Sequence, residues 1–148
     1  MFKKILLPLD LTEKHEAALK MAAELAGQNH GQVLLVHVVE VIPGLSGDEE
    51  RGFYQRLEQA AQAHLGRLAA ALTKKKLPVR TEIIVGQRVP EILRFATAEG
   101  VDLILLTSPT FQPEHPGAGL GSMAWKIGLV ASCSVLIVKY AGKGERGA

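Results

Sequence analysis

The sequence predicts an α/β fold, an open five-stranded parallel sheet with helices on both faces, and three observations lead to it. Apolar runs typical of strands alternate with helix-period segments along the chain. The second run, residues 33–39, is almost continuously apolar, as a strand covered on both faces requires. Each strand is followed by a helical connection, which parallel neighbours need. The 148 residues fit one domain, predicted to span 1–140 and to be followed by a flexible tail, 141–148.

The first half of the chain supplies two strands and two helices. Residues 3–9 are the predicted first strand, and Thr12, a hydroxyl residue followed by acids, marks the start of the first helix. That helix is expected to end near Gly31, before the strand at 33–39. Residues 48–75 then show apolar side chains at three- and four-residue spacing, which predicts a long amphipathic helix.

The second half continues the alternation. Gly86 closes a third strand at 79–85, and Pro90 suits the first turn of the next helix, where a missing N–H is no loss. Gly100 is expected to end that helix. The remaining predicted elements are a fourth strand at 101–106, a last helix at 122–131 and a last strand at 135–139.

Composition excludes several function classes. Hydrophobic residues make up 47% and charged residues 22%, a balance typical of soluble domains, and a net charge of +2 is too small to indicate nucleic-acid binding. No apolar run is long enough to span a bilayer, so no membrane partner is expected. Cys133 is the single cysteine and is interpreted as a packed thiol, which fits a cytoplasmic location. The histidines show no paired ligand spacing, so no metal site is predicted.

The residues at the predicted strand ends, in their order and spacing, resemble the universal stress protein family over nearly the whole chain. The similar segments are Leu7-Pro8-Leu9-Asp10, residues 35–39, Gly86 with residues 90–93 and Ala96, residues 100–104, Gly121-Ser122 and residues 132–138. The resemblance implies a Rossmann-like fold with the layering of adenine-nucleotide alpha hydrolases. It also implies an ATP-binding loop and a homodimer in which the last strands of two subunits pair.

The loop after the fourth strand departs from the family pattern. Many members have a glycine, two residues, a second glycine, nine residues and then Gly-Ser or Gly-Thr. Counting back from Gly121-Ser122 places Ser108 and Phe111 at the first two glycine positions. Phe111 crowds the approach to phosphate and disfavours the positive φ that glycine adopts easily. We therefore expect ATP or AMP binding to remain possible but the standard phosphate cradle to be broken.

The resemblance also implies which residues form the nucleotide site. Asp10 and Val38 match the residues that hold the nucleoside, Pro8 lies beside Asp10, and Thr107 and Ser108 follow the fourth strand. Three residues form the expected phosphate end of the site: Gly119, Gly121 and Ser122. Two alternatives stay open for residues 117–121, a shifted anion nest before a helix or a flexible connector. Asp10 alone is equally compatible with a loop acid that satisfies the following helix.

The favoured function is a non-enzymatic stress-response module that acts through dimerisation and a protein partner, with a degenerate nucleotide pocket. Val135, Ile137 and Lys139 of the last strand are the expected dimer interface, because a bare apolar edge strand invites aggregation. No catalytic residue is assigned; His115 with Glu114 is interpreted as loop surface. The alternative is an ATP or AMP sensor, with slow ATP hydrolysis as a further option.

Overall fold

The computed structural model of the chain describes residues 1–44, 47–109 and 123–140. In these ranges strands and helices alternate from end to end. The strands are β1 (Lys4–Pro8), β2 (Gln32–Glu40), β3 (Val79–Gly86), β4 (Leu103–Pro109) and β5 (Ser134–Tyr140). The helices are α1 (Glu16–Asn29), α2 (Gly47–Thr73), α3 (Arg88–Glu99) and α4 (Met123–Val130). The predicted tail, 141–148, lies outside the described residues.

The five strands form one parallel sheet in the order β3-β2-β1-β4-β5, which confirms the predicted fold class. The strand order reverses between β1 and β4, where open α/β sheets form ligand clefts. These two strands pair at Ile5 with Leu103 and at Leu6 with Ile104, whereas β4 and β5 stay paired from Leu103 to Pro109. Because the described ladder between β1 and β4 stops early, their carboxyl ends leave room for a cleft.

Each face of the sheet is covered by two helices. Ile5 and Leu7 of β1 are fully buried in the core formed with α1 and α2, and Leu6 between them is buried in the core formed with α3 and α4. This alternation follows from the two-residue period of a strand. Burying each such side chain stabilises the fold by about 2 kcal/mol. The sheet is therefore anchored on both faces and gives the strand ends a rigid base.

The first helix begins later than predicted. Thr12 was expected to cap it, but α1 begins at Glu16, and His15 before it makes no capping hydrogen bond with its side chain. The reason is Asp10, whose Oδ1 accepts hydrogen bonds from the Thr12 backbone N–H at 3.0 Å and from the Thr12 hydroxyl. An aspartate that binds the backbone two residues on competes with helix initiation. Residues 11–15 therefore form a turn at the end of β1.

The fourth strand extends further than predicted. Thr107 and Ser108 were expected in the loop, but they belong to β4 and pair with Val138 and Lys139 of β5. The strand continues because β5 offers a partner as far as Tyr140. The other predicted element bounds agree within two residues, which is ordinary variation at element ends.

Two glycines set the limits of α3. Gly100 has a φ of +67° and forms the left-handed end of the helix. A Cβ on Gly86 would approach Cγ of Glu91 to 2.7 Å, so glycine allows α3 to begin close to the end of β3.

Across 1–44, 47–109 and 123–140, no helix has both the length and the apolar composition needed to cross a membrane.

Candidate functional site

A cleft of about 220 Å³, which we call the strand-end cleft, lies at the carboxyl ends of β1, β2 and β4. Five residues that the sequence predicted for a nucleotide site line it together: Pro8, Asp10, Val38, Thr107 and Ser108. They come from three strands and from the turn after β1, so the fold gathers residues that are up to a hundred positions apart. The predicted Gly119, Gly121 and Ser122, and Phe111 with them, lie outside the described residues.

Asp10 is the most heavily hydrogen-bonded group of the cleft. Its Oδ1 lies 2.7 Å from Nε2 of His15, and its Oδ2 lies 2.7 Å from Nζ of Lys14. Partial burial alone would raise the pKa of the Asp10 carboxyl, but the hydrogen bonds from Lys14, Thr12 and His15 hold that pKa well below its usual range. The carboxylate therefore stays ionised at physiological pH.

His15 lies between Asp10 and Thr107 and is only 5% exposed. Its Nδ1 is 2.9 Å from the Thr107 hydroxyl oxygen. Burial lowers the pKa of His15, although the neighbouring Asp10 carboxylate opposes this shift. In the neutral ring, Nε2–H donates to Asp10 and Nδ1 accepts the Thr107 hydroxyl proton. The Asp10 backbone nitrogen lies 3.3 Å from the same Nε2, but a nitrogen that already donates cannot accept, so the 2.7 Å contact defines the tautomer.

The three side chains form a continuous hydrogen-bonded chain that we call the Asp10–His15–Thr107 chain. It joins the end of β1, the turn before α1 and the end of β4. A carboxylate that orients an imidazole, which in turn accepts from a hydroxyl, is an arrangement suited to proton transfer. It also links the turn after β1 to β4, across the point where the two strands separate.

The rest of the cleft combines apolar and cationic side chains. Val36, Val38 and Ile92 are buried and supply an apolar wall. Lys14 and Arg88 supply two positive charges, and Arg88 Nε lies 3.3 Å from a carboxylate oxygen of Glu40. A flat apolar group that carries an anion would meet both kinds of surface.

Ser108 does not offer its hydroxyl freely to a ligand. The residue is 3% exposed, and its Oγ donates to the Pro109 carbonyl oxygen at 3.3 Å. It also stands in a strand that pairs regularly with β5. This position, the first glycine of the family pattern, is therefore occupied by a packed residue in extended backbone.

Among the polar side chains that line the cleft, sequence reasoning missed three, Lys14, His15 and Arg88. His15 was set aside because the histidines show no metal-ligand spacing. The signal that could have identified it is its distance of five residues from Asp10, across the turn from a strand end to a helix start. That spacing allows a side chain at the helix start to turn back onto the strand end.

Two other residues have structural roles in the described part of the chain. His37 donates from Nδ1 to the Leu9 carbonyl oxygen at 2.7 Å, as expected of a packed histidine. Burial raises the pKa of the Cys133 thiol, which favours the unreactive form. Among residues 1–44, 47–109 and 123–140, no three His, Cys, Asp or Glu side chains are grouped to hold a metal ion.

Comparison with known proteins places this geometry in a family. The model of the universal stress protein family matches residues 1–139. A universal stress protein of Thermus aquaticus, encoded in the QAH/OAS sulfhydrylase 3′ region, is 30% identical over 148 aligned residues, which cover 94% of this chain and 100% of that protein. The solved structure of MJ0577 from Methanocaldococcus jannaschii is 28% identical and superimposes with a TM-score of 0.80, covering 95% of this chain and 97% of that one.

A more distant structure shares the fold. The universal stress protein from Archaeoglobus fulgidus, solved in complex with dAMP, is 21% identical with a TM-score of 0.69 and covers 94% of this chain and 100% of that one. The family model spans almost the entire sequence, and the fold superimposes on these neighbours over nearly the whole chain. This chain therefore belongs to the universal stress protein family.

Proposed function

We propose that this chain is a stress-response module that binds the nucleoside end of an adenine nucleotide in the strand-end cleft and acts through dimerisation and partner binding. The observation that carries the proposal is the convergence of Pro8, Asp10, Val38, Thr107 and Ser108 on one cleft at the point where strand order reverses. The ligand class comes from the family and from the dAMP held by the Archaeoglobus neighbour. We expect the module to work in the cytoplasm.

The polar groups of the cleft favour weak binding of a nucleoside. Val36, Val38 and Ile92 give an adenine ring an apolar surface. A ribose hydroxyl that donates to Asp10 has to compete with Lys14, Thr12 and His15, which already occupy that carboxylate. Because each ribose hydrogen bond replaces an existing one, its net contribution is small.

The phosphate end of the cleft supports a degenerate cradle. Lys14 and Arg88 attract an anion, but Arg88 is paired with Glu40 and Lys14 with Asp10. Ser108 is packed in β4, where a family glycine would leave the backbone open to an anion. We therefore expect the phosphates to add little affinity beyond that of the nucleoside.

Calorimetric titrations with adenosine, AMP and ATP, each with magnesium, test the nucleotide part of the proposal. Because the phosphates should add little affinity, we expect all three dissociation constants to fall within about tenfold of one another. A tenfold difference corresponds to about 1.4 kcal/mol. ATP binding more than a hundredfold tighter than adenosine would show an intact cradle. No binding of any of the three at millimolar concentration would remove the nucleotide function.

The double variant Ser108→Gly with Phe111→Gly sharpens the same test. If these side chains block the cradle, the variant gains affinity for ATP and keeps its affinity for adenosine. An unchanged ATP affinity, measured on a variant whose adenosine titration matches the parent chain, would show that the side chains are not the obstacle.

The dimer part of the proposal draws support from the two edges of the sheet. The β3 edge carries Arg80 and Glu82, charged residues that discourage strand pairing. The β5 edge carries Val135, Ile137 and Lys139, and Ile137 is 39% exposed. Leu129 of α4, which precedes β5, is 69% exposed. The β5 edge is therefore the better surface for a second copy of the chain.

Light scattering coupled to gel filtration tests this interface. We expect a dimer at micromolar concentration, and Ile137→Asp should convert it to a monomer because an unpaired carboxylate would be buried in the interface between the two subunits. The matched control is Val85→Asp on β3, where the valine is 42% exposed and the dimer should persist. A monomeric parent chain, or equal dissociation by both variants, would contradict the proposal.

A second candidate function is slow ATP hydrolysis, and the Asp10–His15–Thr107 chain favours it. The unprotonated Nδ1 of His15 is placed to accept a hydroxyl proton at the wall of the cleft. Release of inorganic phosphate from ATP with magnesium, lost in His15→Gln, is the result expected of an enzyme. Equal phosphate release by the parent chain and the variant would exclude His15 as the base.

A further inference from the structure

A second and larger cavity lies on the other side of His15. It has a volume of about 430 Å³ and lies between the start of α1 and the last turns of α2. We call it the helix hollow. Its volume is in the range of small-molecule sites, and no residue predicted for the nucleotide site lines it. Its chemistry is set by His64, three leucines and four charged side chains.

His64 of α2 is a buried histidine, 8% exposed, on the wall of the helix hollow. Its Nδ1 lies 3.3 Å from Nη2 of Arg67. A guanidinium group only donates hydrogen bonds, so Nδ1 of His64 is the acceptor and carries no proton. In the neutral ring the proton is therefore on Nε2.

The Nε2–H of His64 has no hydrogen-bond acceptor among the residues that the structure describes. Within the same residues, no fully enclosed side-chain nitrogen or oxygen lacks a partner. Nε2 is therefore not sealed off from solvent, and the helix hollow is the open space that His64 lines. A donor that has no protein acceptor and opens on such a space is available to a hydrogen-bond acceptor bound there.

The other lining residues restrict what can bring this acceptor. Leu19, Leu68 and Leu72 form apolar walls. The four charged residues of the hollow are two acids and two bases, Glu13, Glu16, Lys20 and Lys75. Since their charges cancel, the hollow favours neither an anion nor a cation by its net field.

We propose that the helix hollow is a binding site for a small neutral molecule that has an apolar body and a single hydrogen-bond acceptor, such as a carbonyl oxygen. The apolar body packs on the leucines, and the acceptor receives the Nε2–H of His64. His15 forms part of the same wall. Both of its ring nitrogens are used in the cleft, so an occupant of the hollow meets its carbon edge.

Three probes with matched alkyl bodies test this proposal on the full chain without any nucleotide: 2-octanone, octanoate and octylammonium. Imidazole resonances observed by NMR report on His64 and His15 during each titration. We expect saturable shifts at both histidines with 2-octanone and weaker binding of the two charged probes. No saturation with 2-octanone at millimolar concentration, or tighter binding of either charged probe, would overturn the proposal. Neither outcome bears on adenosine binding in the cleft.

A pair of substitutions in one turn of α2 locates the site. Ala70 and Ala71 are both exposed, but only Ala71 lines the hollow. Ala71→Trp should fill the hollow and abolish 2-octanone binding, and Ala70→Trp should retain it. Equal affinities in the two variants would place the probe elsewhere.

The variant His64→Phe tests the hydrogen bond itself. It preserves a ring of similar shape and removes the donor, so the Kd for 2-octanone should rise roughly fivefold. An unchanged Kd, in a variant that melts as cooperatively as the parent chain, would show that His64 does not donate to the ligand.

Discussion

The strand-end cleft and the helix hollow share His15 as a wall, yet they are built in opposite ways. In the cleft the polar groups of Asp10, His15 and Thr107 satisfy one another, and the space is about 220 Å³. In the hollow of about 430 Å³, three leucines supply the apolar walls and the donor of His64 has no acceptor among the described residues. The difference shows that the larger cavity is not the one with the stronger internal hydrogen bonding. We therefore expect substitutions of the polar residues in the cleft to destabilise the fold more than substitutions of the charged residues in the hollow.

The largest expected effect is the loss of the carboxylate in Asp10→Ala. The substitution leaves His15 and Lys14 without their acceptor at the end of β1, so the free energy of unfolding should fall by about 2 to 3 kcal/mol. The matched control is Glu13→Ala, because Glu13 lines the hollow without an ion-pair partner among the described residues. Its effect should stay within about 0.5 kcal/mol. Denaturant unfolding measures both, and equal losses would contradict the distinction between the two cavities.

A smaller effect is expected from Thr107→Val. Valine keeps the shape of threonine but removes the hydroxyl that donates to Nδ1 of His15, so about 1 kcal/mol of stability should be lost. The variant Thr107→Ser retains a hydroxyl that can donate to His15, so it is the control for the Asp10–His15–Thr107 chain. If NMR shows the same His15 imidazole shifts in Thr107→Val as in the parent chain, the hydroxyl is not the partner of Nδ1.

The smallest effect is a dependence of stability on pH. Because burial lowers the pKa of His15 in the folded state, the unfolded chain binds more protons as pH falls from about 7 to about 5. Stability should therefore decrease over that interval. Asp10 opposes the shift, and Lys14 and His64 reinforce it. Asp10 itself stays ionised throughout, since its own pKa is lowered.

Two variants separate the contribution of His15 to this pH dependence from that of other histidines. Melting curves of His15→Gln should show a flatter decline between pH 7 and pH 5 than those of the parent chain. The exposed His30, in a left-handed position, gives the control His30→Asn, which should retain the decline. Parallel curves for all three proteins would show that His15 is not the group that titrates.

The fold could be predicted from sequence because its signals are local and repeated. Apolar runs, the helix-ending Gly100 and Pro90 act within a few residues, and the family resemblance covered the same elements. Thr12 was wrongly placed at a helix start because its partner is Asp10, and competition between two local hydrogen-bonding patterns cannot be decided from residue types alone. Ser108 was placed in a loop because the extent of β4 depends on pairing with β5, a non-local contact.

The candidate site was only half predictable for a related reason. The predicted residues lie at or near the carboxyl ends of strands, so topology brings them to the same end of the sheet. These residues are Pro8, Asp10, Val38 and Thr107. His15 requires more, since its role depends on the direction of a side chain in a turn. The helix hollow had no sequence signal at all, because it arises from how α1 and α2 pack on one face of the sheet.

The long pairing of β4 with β5 has a practical consequence for detecting ligands. Thr107 lies opposite Val138 and Ser108 opposite Lys139, so β5 runs about 4.8 Å from the strand whose residues line the cleft. A fluorophore attached through Lys139→Cys, in a chain that also carries Cys133→Ser, would sit one strand from a bound molecule. Because Lys139 belongs to the proposed dimer surface, the same label would also respond to pairing of two β5 edges. The same register that displaced Ser108 from the loop thus makes this protein a scaffold for an optical reporter.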